Sequence, residues 1–408
     1  MNFYLHRFGL FNALLQEKVP ENIFLSVVIP CYNENSLLNC LMSLKNCYQT
    51  RFGVEVIIIV NHAENAPQEI IQQNQDTLSS VQLWLESAQG EKMKFYPLLL
   101  SLPKKDAGVG LARKAGMDEA VRRFEKAGIK NGVIVCLDAD CTVSPNYLSE
   151  IENYFLTHEK CNAASIYFEH PLDSVSGLNR DSITEYEIFL RYYVNGLRFT
   201  GHPFAFHTIG SSMAVRNEAY QKQGGMNKRK AGEDFYFLQK IFLLGNFGEI
   251  SNCTVYPSCR SSDRVPFGTG KAVGDALAGK PIMFYNPIVF YQLKSLIDEI
   301  LLYDSTSESM ISFAEKLPLE MKCFLESVDW SGKRVEIASN VSNPQQFIKR
   351  FFSWFDGFMA LKAVHYLSDN FFPRLTLSHL DVEPLFPCMK AKDAVNLLHE
   401  LRKLDRKF

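Results

Sequence analysis

Three short groups in this chain of 408 residues have types and spacings that can do chemistry. The first is Asp138-Ala-Asp140, which follows the apolar run Val133-Ile-Val-Cys-Leu137. Residues two apart on an extended segment point the same way, so both carboxylates can converge on one ion. Hard carboxylate oxygens suit Mg²⁺ or Mn²⁺, which also bridge diphosphate oxygens and stabilise a departing nucleoside diphosphate. Taken alone, the pair is a weak signal that more often marks a turn with solvated or capping acids. The second group is Gly108-Val-Gly-Leu-Ala-Arg113, where two glycines precede a helical pattern. Amides at a helix start attract phosphate, and an arginine one turn in adds a charge-assisted contact. The third is Gly232-Glu233-Asp234, opening an amphipathic helix. Acids there usually offset the helix dipole, but a carboxylate so placed can also deprotonate an acceptor hydroxyl.

The elements that must position these groups alternate over the first ~250 residues, in the strand–helix order of an α/β domain. Apolar, β-branched runs predict buried strands over 25–29 (ended by Pro30), 55–60, 94–102 and 132–137. Helical spacing covers 37–46, 68–85 and 110–127, the last with a basic outer face. Continuous apolar strands point to a mostly parallel sheet covered on both faces, with ligands beyond the carboxyl ends of the strands. After about residue 280 the pattern becomes helical, over 291–303, 310–328 and 343–367. There Phe347, Phe351, Phe352, Phe355, Phe358 and Leu361 form an aromatic face. It fits packing on the domain, or, with Lys349, Arg350 and Lys362 beside it, docking on a membrane surface or an acceptor.

The ordered set resembles family 2 glycosyltransferases of the GT-A fold over roughly residues 25–260. Leu25-Ser-Val-Val-Ile-Pro-Cys-Tyr-Asn-Glu34 is similar to that family's first strand and nucleotide-binding loop. Ala107–Gly116 resembles its glycine-then-Ala-Arg segment, and Leu137–Leu148 its metal motif. Gly210–Tyr220 with Gly224-Gly225 resembles its acceptor-side segment, and Gly232-Glu-Asp234 its terminal acidic motif. The resemblance implies a GT-A fold, a Rossmann-like, mostly parallel sheet that binds nucleotide-diphospho-sugars. Segment 1–24 would precede a domain at 25–270, and a helical extension at 271–408 would follow. It implies that Pro30, Tyr32 and Glu34 line the nucleotide pocket and that Arg113 sits near the sugar or diphosphate. Asp138 would face the sugar and ribose and share the metal, Mn²⁺ or Mg²⁺, with Asp140. Asp234 would be the base of an inverting transfer to a glycan or glycolipid, with Glu233 in support. One departure is that Asn61-His62 stands where the family commonly has paired acids, so the usual uridine preference does not carry over. Asn61 can still hydrogen-bond a base, since its amide both donates and accepts. In the segment 259–270, Arg260 and Arg264 are expected to close a loop over the diphosphate.

The bulk composition is consistent with this reading. At 408 residues, a large domain plus an extension is the natural expectation, since single cores rarely exceed about 250–300 residues. A formal net charge of −2 lacks the basic footprint of nucleic-acid binding. The ten cysteines include no Cys-x-x-Cys pair, which points to reduced thiols in a cytoplasmic protein and away from zinc. No run reaches the ~18–20 apolar residues of a membrane span, so a soluble cytoplasmic protein is the expectation, with at most a peripheral contact at the inner face of the membrane. Three rival readings stay open: retaining chemistry on the same fold, a sugar-phosphate nucleotidyltransferase, and a carbohydrate- or nucleotide-binding module that kept the fold.

Overall fold

The computed structural model describes residues 2–20, 22–88, 93–260, 268–303, 316–387 and 393–407. In chain order the first elements are α1 (Phe3–Phe8), β1 (Ile23–Cys31), α2 (Leu37–Lys45), β2 (Gly53–Ala63), α3 (Gln68–Ala88), β3 (Met93–Leu102) and α4 (Val109–Lys126). There follow β4 (Val133–Cys136), β5 (Thr142–Val143), α5 (Tyr147–Thr157), β6 (Ala163–Phe168), α6 (Gly177–Thr200), β7 (Met213–Arg216), α7 (Asn217–Lys222), α8 (Glu233–Phe242) and β8 (Phe247–Tyr256). The remainder is helical: α9 (Thr269–Leu277), α10 (Pro287–Leu301), α11 (Leu319–Ser327), α12 (Trp330–Ser339), α13 (Pro344–Trp354), α14 (Gly357–Asn370) and α15 (Ala394–Asp405).

These elements form two compact units, and the division does not follow the linear boundaries expected from sequence. One unit contains residues 1–176, 208–271 and 405–408; the other contains 177–207 and 272–404. Helix α6 belongs to the second because its aromatic residues pack there. The Tyr192 ring meets Phe284 and Phe290 edge-on, and Gly196 leaves room for the Phe290 ring.

The first unit is a mixed sheet in the order β3-β2-β1-β4-β7-β6-β8-β5. The β3-β2-β1-β4 half is parallel, as the buried apolar strands predict. β7 then runs antiparallel to both β4 and β6, while β6 and β8 are parallel. β1 continues past the predicted stop: Pro30 stays in register opposite Ile59, and the strand ends at Cys31. Helix α4 covers β1 and β2. It is not basic on an outer face. Arg113, Lys114, Asp118, Glu119 and Arg123 are all buried.

Buried charges need partners, and α4 finds them far away in sequence. Arg123 Nε bonds Glu55 of β2 at 2.6 Å, and Ser26 Oγ donates to the same carboxylate at 3.0 Å. Most of the other partners come from the segment before β1, and one, Tyr220, from α7. Tyr4 Oη donates to Asp118 at 2.6 Å, as does Tyr220 Oη at 2.7 Å. Lys114 Nζ lies 3.0 Å from Tyr4 Oη and 3.1 Å from Asp118. The amides of Leu14 and Leu15 donate to Glu119. Arg122 and Arg123 donate to the carbonyls of Phe11 and Glu17. Residues 3–19 thus form a strap that satisfies one side of α4.

The second unit is helical. The predicted 343–367 helix is two helices, because Asp356 caps a new start by accepting from the amides of Phe358 and Met359. Most of its aromatic face is core. Phe347, Phe351, Phe352 and Phe355 are buried, and Phe351 packs edge-on against Trp330. Phe358 and Leu361 are half-buried, and Lys349, Arg350 and Lys362 are exposed. No disulfide occurs among the described residues; Cys388 lies outside them. No helix of the described residues is long and apolar enough to cross a membrane.

Candidate active site

The site lies where β1, β2 and β4 end and where α4 and α8 begin. Its central group is Arg113, in the second turn of α4 and 1% exposed. One terminal nitrogen of its guanidinium donates to Glu233 and the other to Asp138 Oδ1, the latter at 2.6 Å. Burial works against the Arg113 charge, but Glu233 and Asp138 more than offset it and hold the guanidinium above its ordinary range. The glycines ahead of it permit this approach. A Cβ on Gly110 would overlap the Arg229 carbonyl oxygen and crowd Glu233, so only glycine lets α4 close against the loop before α8.

Gly232 adopts φ 68°, the left-handed turn that launches α8. Glu233 is buried, and its carboxyl is pushed up to about 7; burial is the main cause and neighbouring Asp234 adds to it, against the pull of Arg113. Asp234 is held by backbone. Its Oδ2 accepts from the Gly210 amide at 2.8 Å and its Oδ1 from the Phe235 amide at 2.7 Å. Burial raises it above the ordinary aspartate range, against Arg113.

Beyond β4, the Asp138 and Asp140 side chains are 38% and 28% exposed. Glu34, after β1, is 1% exposed and is gripped by both terminal nitrogens of Arg260. Arg260 also reaches Asp140 Oδ2 at 3.3 Å. Burial opposes the Arg260 charge, but Glu34 and Asp140 raise it. Arg260 therefore rests on carboxylates in this structure, and Arg264 lies outside the described residues. Tyr32 is 39% exposed, and Pro30 is buried within β1. Asn61 is 4% exposed, and its side-chain amide donates to the Cys31 and Ile59 carbonyls at 2.8 and 3.2 Å. Its donor side thus braces the end of β1, leaving Oδ1 as the atom that could meet a base.

No group of three or more His, Cys, Asp or Glu side chains suited to a metal occurs among the described residues. Asp138 and Asp140 are two hard, partly exposed carboxylates. That set fits a cation that takes its remaining ligands from substrate phosphates and water, and does not fit an all-protein cage.

Two features were not read from sequence. The Gly210 amide on Asp234 is invisible to residue type, because any residue offers an N–H there. The strap on α4 had a visible signal: charges on every face of that helix, which an exposed amphipathic helix does not need.

Acids gathered beyond the carboxyl ends of the parallel strands of a mixed sheet, with a helix-borne arginine between them, are consistent with a GT-A-type glycosyltransferase domain. Residues 26–224 match the family model described as Glycosyl transferase family 2, and this segment is a glycosyltransferase domain of that family. No curated protein matches the sequence. Among solved structures, the chain is similar to S. aureus TarS 1–349 in complex with UDP, at 14% identity and TM-score 0.40, covering 73% of this chain and 76% of that one. It is similar to the same protein in complex with UDP-GlcNAc, at 12% identity and TM-score 0.42, covering 82% and 91%. A further TarS 1–349 structure covers 94% of this chain and 92% of that one, at 14% identity and TM-score 0.40.

Proposed function

We propose that this protein moves a sugar from a nucleoside-diphosphate sugar to a hydroxyl of a glycan or glycolipid, with inversion and with Mg²⁺ or Mn²⁺ bound. The observation that carries the reading is Arg113, which bonds Glu233 and Asp138 at once and so ties the acid pair of α8 to the acids beyond β4.

Asp234 takes the proton of the acceptor hydroxyl. The acceptor oxygen attacks the anomeric carbon, and the bond from that carbon to the diphosphate oxygen breaks, its electron pair leaving with the nucleoside diphosphate. Glu233 keeps Arg113 in place, and the Gly210 and Phe235 amides aim the Asp234 carboxylate. Asp140 and Asp138 would hold the cation, which when bound spreads the charge of the leaving diphosphate. Pro30, Tyr32, Glu34 and Asn61 frame the nucleotide, and Arg260 exchanges its carboxylate partners for donor phosphate.

The test measures thermal stabilisation and turnover over a panel of nucleotide sugars, with and without Mn²⁺. The expected result is a metal-requiring rise in Tm for one donor class, as a ligand selective for the native state produces. Asp140→Ala should lose that rise. Asp234→Asn should keep it while turnover falls by roughly 10²–10⁴-fold. A donor-induced rise with no turnover on any acceptor would instead identify a binding module. A product of retained configuration would remove the direct displacement.

A further inference from the structure

Helix α1 and the residues just after it leave apolar side chains exposed. Phe3 is 72% exposed, Leu10 46% and Phe8 37%. The helix is nevertheless fixed in place. Tyr4 is buried on Asp118, and Gly225, at φ 74°, admits the Tyr4 hydroxyl where any Cβ would collide. Arg7 lies between the aromatics, 6.0 Å from the Phe3 ring and 5.1 Å from the Phe8 ring. Phe3, Tyr4, Arg7 and Phe8 border, with Lys222 and Lys240, an open cavity of about 620 Å³. Among the described residues, no acid lines it.

The positive charge continues beyond the cavity. Its wall at Met226 and Asn227 leads directly into Lys228, Arg229 and Lys230, all exposed. That loop lies against the turn before α4: Lys228 Nζ is 2.9 Å from Asp106, and Lys230 borders Gly108. Lys104 and Lys105 are exposed on the same turn. Asp106, on that turn, is paired with Lys228. In a chain of net charge −2, this is a local concentration of cations.

We infer that this face docks on an anionic lipid bilayer. Phe3, Phe8 and Leu10 enter the boundary between headgroups and acyl chains, and Arg7, Lys222, Lys240 and the 228–230 loop meet lipid phosphates. A soluble polyanion would satisfy the charges but leave the apolar side chains in water; a bilayer satisfies both. Docking itself does not depend on the transfer chemistry. One consequence does rest on the transfer reading: the 228–230 loop runs into Glu233 and Asp234, so docking would bring a lipid-linked acceptor to the base.

The full-length protein is sedimented with vesicles of phosphatidylcholine alone and of phosphatidylcholine with phosphatidylglycerol. Binding is expected only to the second, weakening as salt rises. The pairs Phe3→Ser with Phe8→Ser, and Lys222→Glu with Lys240→Glu, should each lower the bound fraction by about tenfold or more. Circular dichroism and Tm report that each variant is folded, and the donor-induced rise in Tm should persist in both, so a failure of docking is distinguishable from a failure of the transfer reading. Absence of binding to either vesicle overturns the proposal. So does retention by soluble polyphosphate, without vesicle binding and indifferent to the phenylalanines, which would assign the face to a polyanion instead.

Discussion

Arg113 and His202 are both buried, and their environments treat charge in opposite ways. Arg113 sits between two carboxylates and stays charged. His202, in the helical unit, is 4% exposed, and among the described residues no carboxylate acts on its ring. Its Nε2 lies 3.0 Å from the Phe355 carbonyl, and its Nδ1 accepts from the Phe204 amide at 3.2 Å. That arrangement requires the neutral ring with the proton on Nε2. Burial lowers its pKa to about 4, against the Phe355 carbonyl. A depressed folded-state value means that the stability is complete above the unfolded value of 6.5 and is lost as pH falls through about 4. Across that window the helical unit should lose about 3 kcal/mol on this account alone. His202→Gln should be less stable at neutral pH but flatter between those limits, as urea unfolding at several pH values would show. An equal slope in the variant would assign the acid sensitivity elsewhere. The acids that the structure gathers at the candidate site were legible because they sit in short motifs: Asp138 with Asp140, and Glu233 with Asp234. The pairing of Glu34 with Arg260 was not, because 226 positions separate them and no local spacing reports such a contact.

Among the elements, the strands followed from sequence most directly. A continuous apolar run has few other uses, and β1, β2, β3 and β4 fall where such runs do. The antiparallel β7 was not legible in this way, since periodicity gives burial but not direction. Helix α4 was placed correctly and oriented wrongly, because its charges looked solvent-facing while their partners lay in β2 and before β1. Gly110 tests the close approach of α4 to the loop before α8. In an exposed helix, glycine to alanine stabilises by roughly 1 kcal/mol. Here the added Cβ meets backbone at Arg229, which cannot rotate away. Gly110→Ala should therefore lower Tm and weaken the contact of Arg113 with Glu233, with turnover falling further than donor affinity. A rise in Tm would show that the loop moves aside freely.

For the molecule as a whole, net charge hides what matters. The formal −2 is an average over an acidic cluster at the site and a basic face along α1, α7 and the 228–230 loop. A formal sum of this kind does not show where the cations gather. The division into two units was similarly hidden. α6 is sequentially inside the transferase region, yet its aromatic residues pack with helices from the C-terminal half. A linear boundary cannot describe a unit assembled from two separate stretches of chain.

The strap over α4 also decides how this enzyme can be dissected. The family match starts at residue 26, which invites a minimal version beginning there. Such a cut would take away the Tyr4 hydroxyl, the Leu14 and Leu15 amides and the Phe11 and Glu17 carbonyls. It would leave Asp118, Glu119 and Arg123, buried charges in the intact chain, short of partners on the helix that presents Arg113. Each charge would keep its ionic partner, but a hydrogen bond to a charged group is typically worth about 1.5–3 kcal/mol, several would go at once, and total stability is commonly about 5–15 kcal/mol. Deletion of residues 2–22 should therefore yield insoluble or molten protein, whereas deletion of residues 406–408 alone should be tolerated. A soluble, cooperatively melting truncation at residue 23 would show that α4 holds its charges without the strap. The smallest working enzyme is thus longer than its family signature, and a library of shortened variants should keep everything from Asn2 onward.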